Sequence, residues 1–148
     1  MPSKPPIVFP SIAADDDVVS APIDPTWILA GTPEARARSL ALVDDSALSA
    51  SLWQSTAGRF EWHYGSDELV MILDGEVEIT SPGSQPFTAR QGDVFFVAAG
   101  QVIEWHVRDH VKKLVVNAVQ TPLLRRLATR IPFARRVVRR LRAGRSQA

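Results

Sequence analysis

Cysteine is absent from the 148-residue chain. That excludes disulfides, thiolate-bound zinc and a cysteine nucleophile, and it leaves the redox compartment open. No apolar run is long enough for a signal peptide or a bilayer span; the start, MPSKPPIVFP, is broken by proline and lysine. A cytoplasmic protein is the expectation. One region lacks acid altogether. Residues 121–148 carry nine Arg and no Asp or Glu, whereas residues 1–120 carry eight Lys plus Arg against sixteen Asp plus Glu. The net charge of +1 therefore divides into a body at −8 and a tail at +9. Such an opposition implies an anionic partner for the tail: a membrane surface, a nucleic acid or the acidic body itself. The tail has Phe133 as its one aromatic, which makes nucleic acid the weakest of the three. No Ser/His/Asp triad, nucleophile elbow or phosphate-binding loop occurs, and no segment repeats.

With 45% hydrophobic residues, the length suits one domain with a buried core. Residues 1–25 are rich in proline and contain Asp15-Asp16-Asp17, as expected of an extended arm without a core of its own. Such an arm needs a surface to cross, which predicts a homodimer. From about residue 37 to 120, short runs of Val, Ile, Leu, Phe and Trp are punctuated by Gly58, Asp74-Gly75, Pro82-Gly83, Gly92-Asp93, Gly100 and Asp109. This spacing predicts an antiparallel all-β sandwich or barrel over 26–120, with strands at 69–73, 76–80, 94–97, 102–107 and 111–119. Asp74-Gly75 between two apolar runs predicts a tight hairpin turn. Thr121-Pro122 then reads as a helix start, and Leu123, Leu124, Leu127, Ile131, Val137, Val138 and Leu141 recur at helical spacing. Pro132 divides this tail, 121–148, into two short basic amphipathic helices, with an anionic membrane surface as the expected partner.

The stretch GRFEWHYGSDELVMILDG holds Glu61, His63, Asp67 and Glu68 close together. Glu68 followed by six residues and Gly75, then Gly92-Asp93 and Gly100, resembles the two sequence blocks of the cupin family. The pattern Phe60-x-Trp62-x-Tyr64, Glu68, Ile72-Leu73-x-Gly75, Trp105-x-Val107 and Val111-x-Lys113 is similar to that of small single-domain cupins related to (S)-ureidoglycine aminohydrolase and to ethanolamine-utilisation cupins. The resemblance covers about 27–119 and implies a jelly-roll barrel. Metal-binding cupins place two His, one Glu and a third His at positions that fall here on Trp62, Tyr64, Glu68 and Ile103. Only the Glu survives. A frame shifted by one residue offers Glu61, His63, Glu68 and His106 as an alternative set for Mn, Fe or Zn.

Strand alternation separates the two frames. Phe60, Trp62 and Tyr64 share one face and Glu61 and His63 the other; Ile103, Trp105 and Val107 share one face and Glu104 and His106 the other. The apolar sets are expected inside. A pocket of Trp62, Tyr64, Glu68 and Trp105, without the usual metal, would then bind a small organic cation or a polar molecule with an apolar face. The plainer alternative is that the aromatics fill the barrel with their N–H and O–H groups satisfied by Glu68. Three function classes follow: a cupin binding a small polar metabolite, a metal-dependent enzyme of ureide or amine metabolism, and an assembly protein acting through its basic tail. The sequence leaves open whether the chain is an enzyme.

Overall fold

A computed structural model describes residues 17–42 and 48–118; the tail at 121–148 and most of the arm lie outside them. β1 (Val19–Ser20), β2 (Ile28–Ala30), β3 (Ala35–Leu42), β4 (Leu48–His63), β5 (Glu68–Thr80), β6 (Phe87–Arg90), β7 (Val94–Val97) and β8 (Val102–Ala118) form one antiparallel sheet. A 3-10 turn, Pro25–Trp27, precedes β2; the Asp24 carboxylate accepts from the Thr26 backbone N–H at 2.8 Å and caps it. The all-β architecture expected from the turn spacing is the one observed. The part of the predicted arm nearest the barrel is itself sheet, since Val19 and Ser20 pair with Ala37 and Arg36.

Three long strands organise the rest. β8 lies between β4 and β5, while β4 pairs with β3 along its first half and β2 along its second. β5 likewise pairs with β7 and then with β6. Short partners can change along one long strand because the long strand bends. Register slips between Thr56 and Gly58 of β4, and in β5 between Ile72 and Asp74 and again between Gly75 and Glu78. Trp53 and Trp62 show how far β4 turns. Nine residues of straight strand would hold them about 30 Å apart, yet their ring centroids are 5.5 Å apart, edge to face. Phe95 of β7 also reaches Trp105 of β8 at 6.0 Å, although those strands do not pair. The sheet therefore folds over one core, built on Phe60, Val70, Ile72, Val77, Ile79, Trp105, Val107 and Val111.

The predicted hairpin at Asp74-Gly75 is not formed, and β5 runs straight through it. Val70 and Ile72 face inward before the dipeptide and Val77 and Ile79 after it, so one odd residue has been absorbed by a bulge. Gly75 adopts φ +74° there, and a Cβ at this position would overlap the His110 carbonyl oxygen. The dipeptide meets its demand for positive φ at a bend instead of a reversal. The predicted break at Asp109 is corrected for the same reason: Val102–Ala118 is one strand, exposed from Arg108 to His110 as it turns the corner.

Candidate functional site

On β4 and β8 the inner and outer faces fall as alternation predicts. Phe60, Tyr64, Ile103, Trp105 and Val107 are buried and Trp62 packs on the core, whereas His63 is exposed. The outer groups pair with one another. His63 lies 3.9 Å from Glu61 and stacks on Trp27 at 4.5 Å, His106 lies 3.7 Å from Glu78, and Arg59 holds Glu104. His110 sits between Asp109 at 2.9 Å and Asp74 at 3.1 Å. Hydrogen bonds to Asp109 and then Asp74 raise its pKa above the ordinary imidazole value.

Glu61, His63, Glu68 and His106 are thus not brought together: Glu68 is inside and the other three face out. Among the described residues no three His, Cys, Asp or Glu converge as metal ligands. The frame that does face inward fits a metal no better. Trp62 and Ile103 offer no lone pair for coordination, Tyr64 is a buried phenol whose pKa burial and then Glu68 push up, and Glu68 alone is a ligand of ordinary strength.

Inside the barrel, Tyr64, Glu68 and Trp105 are buried and linked differently from the sequence expectation. The Trp105 Nε1–H donates to the Tyr64 hydroxyl at 3.1 Å, and Glu68 Oε1 accepts from Asn117 Nδ2 at 2.8 Å. Glu68 therefore serves Asn117, not the aromatic N–H. Asn117 also donates to Ser66 Oγ at 3.2 Å, which ties the start of β5 to the end of β8.

The centre of the inner face is a residue the functional reading of the sequence missed. Lys113, between Trp53 of β4 and Ile72 of β5 in register, is 2% exposed. Its Nζ lies 4.1 Å from the ring centre of Trp105, 4.7 Å from Trp53 and 5.4 Å from Trp62. Three indole faces make a cage for the ammonium within cation–π distance. No hydrogen bond or ion pair joins Nζ to a described residue. Burial pushes its pKa down to about 8, against the opposing pull of the Glu68 carboxylate. The buried Trp53 Nε1 has no hydrogen-bond acceptor among the described residues. A signal for this was present: Lys113 alternates in phase with Val111 and Val115, which places it on the apolar face of β8.

Residues 42–114 match the family described as the EutQ-like cupin domain. The acetate kinase EutQ of Escherichia coli K12 is 36% identical over 73 residues, which are 49% of this chain and 31% of that protein. The chain thus spans less than a third of the length of the curated relatives it matches. Among solved structures, a Pseudomonas syringae protein of unknown function superposes with a TM-score of 0.62 at 24% identity, over 68% of this chain and 44% of that one. An ethanolamine utilization protein Q from Salmonella typhimurium gives 0.52 at 23% identity, over 76% and 98%. Identities this low carry the fold alone.

Proposed function

The chain belongs to the cupin superfamily, and from that premise we propose that its barrel binds a small polar metabolite whose head is a carboxylate. Lys113 would hold the head, with Trp53, Trp62, Tyr64, Glu68 and Trp105 as the surrounding pocket. The observation that carries this reading is the ammonium of Lys113 held among three indoles next to Trp53 Nε1, a buried donor with no acceptor among the described residues. An unpaired buried donor costs about 1–3 kcal/mol and a charged one more, so a ligand that brings oxygen acceptors recovers energy an apolar ligand would not. The same geometry argues against an organic cation, because the cage already encloses an ammonium. Glu68 accepts from Asn117 and acts on the ammonium through its charge alone, without an ion pair.

Acetate, named in the description of the Escherichia coli relative, is the smallest molecule of this chemistry and the natural first probe. The test is a titration of the full chain with sodium acetate at pH 7, against sodium chloride at equal ionic strength, read on the indole 1H–15N signals. Saturable shifts of the Trp53 and Trp105 signals, absent in Lys113→Met, are expected. Identical responses to chloride and acetate would overturn the reading.

A further inference from the structure

We infer that Lys113 Nζ is a nucleophilic amine that condenses with small aliphatic aldehydes to form an imine inside the barrel. The inference rests on the reading of Lys113 as the ligand-facing group of the pocket and adds a covalent step to it. Three features of the structure converge on this chemistry. First, among the described residues the amine has no carboxylate within ion-pair distance and no hydrogen-bond partner, so its lone pair is not tied up by them once the proton leaves. Second, the surroundings are desolvated and aromatic, which favours the neutral amine and brings its pKa down to about 8. Third, the cage suits the product as well as the amine. A protonated imine keeps one positive charge at the nitrogen, between the same three indole faces, and its short alkyl substituent meets ring carbon instead of water.

The reaction balances without any further reagent. The Lys113 lone pair adds to the aldehyde carbon, the carbonyl oxygen takes up a proton, and the carbinolamine so formed loses water. The two hydrogens of the neutral amine leave with that oxygen, and the C=N bond replaces the C=O bond. Uptake of one proton from solvent gives the iminium. An aldehyde is favoured over a ketone because it brings one substituent, not two, against the indoles of Trp53, Trp62 and Trp105. The Tyr64 hydroxyl, which accepts from Trp105 Nε1, keeps that indole fixed while the nitrogen reacts.

The chain makes the test clean because it contains three lysines, Lys4, Lys112 and Lys113. Lys112 faces the opposite side of β8 and is less buried, so it is an internal control one residue away. The full-length protein is incubated at pH 8 with limiting acetaldehyde and cyanoborohydride, which reduces the imine to an ethylated amine, and the sites are mapped by peptide mass spectrometry. Ethylation at Lys113 at least tenfold above Lys112 and Lys4 is expected, with protection by excess acetate. Lys113→Met and Lys113→Arg should both lose that label and keep the weak labelling of Lys112. Labelling of Lys112 and Lys4 with Lys113 unmodified, or modification of Lys113 only in denaturant, would overturn the inference. The two readings fail separately. Acetate-dependent indole shifts without ethylation sink the imine alone, whereas ethylation without acetate shifts or acetate protection sinks the carboxylate reading.

Discussion

The two faces of β4 and β8 invite comparison, because each carries a group of titratable residues and they behave in opposite ways. On the outer face His63, His106 and His110 each lie beside a carboxylate, in solvent. On the inner face one lysine stands among three indoles, with no ion-pair partner among the described residues. The outer group looks the more chemical in sequence, with Glu-x-His repeated at Glu61-x-His63 and Glu104-x-His106. Its charges are solvated and paired across the surface, where such pairs contribute little. The inner group contains fewer polar atoms, yet each is in a low-dielectric setting where an unmet need for an acceptor is costly.

The comparison can be broken most decisively at the cage wall. Trp105→Ala removes an indole that is 1% exposed and should cost about 3–5 kcal/mol of stability by chemical denaturation; a loss under 1 kcal/mol would mean the interior is not packed as described. Next is the charge at its centre. Lys113 titrates at about 8 in the folded protein and near 10.5 in the unfolded chain. Between those values the unfolded chain retains a proton that the folded protein has released, so stability gains with rising pH. Met has no such titration. The stability difference between wild type and Lys113→Met should therefore shift in favour of wild type by up to about 3 kcal/mol from pH 7 to pH 10, measured by urea unfolding at each pH. A flat difference would place the lysine in water.

A third change tests what sets the phase of the inner face. Gly75→Ala adds a Cβ against the His110 carbonyl at a positive φ and should cost about 2 kcal/mol or more, whereas the hairpin that the sequence suggests would tolerate it better. Effects on the outer face should be smaller. His110 has a raised folded-state pKa, so its contribution is full below the unfolded imidazole value and is lost as pH rises through the folded one. Wild type should lose stability relative to His110→Gln across that interval by under about 1 kcal/mol, because the ring is half exposed and its pairs are screened. Smallest of all, His63→Ala should change stability by under about 1 kcal/mol, the Trp27 stack included.

Much of the barrel was legible. Alternation at Phe60-x-Trp62-x-Tyr64 and Ile103-x-Trp105-x-Val107 placed the inner face correctly, because strand sides follow a strict period of two. Alternation fails where a bulge inserts one residue. At Asp74-Gly75 the same dipeptide chemistry serves a hairpin and a bend, and local preference does not distinguish them. Val70, Ile72, Val77 and Ile79 suit either arrangement. Lys113 went unread for a different reason. A lysine on an apolar face conflicts with its usual solvation, and the residues that resolve the conflict, Trp53, Trp62 and Trp105, lie in two strands and on both sides of a bend.

The sequence by itself determined the all-β class, the inward side of the inner-face strands and the presence of Trp62, Tyr64 and Ile103 where the cupin pattern it resembles has histidine. Each of these depends on residue type and on neighbours within a few positions along the chain. Only the tertiary structure decided that β5 and β8 run unbroken through their turn-like signals, that Glu68 binds Asn117, and that the aromatic cage encloses the protein's own ammonium. Those depend on where a bent sheet brings residue 53 against 62, 105 and 113, a distance that no local preference encodes.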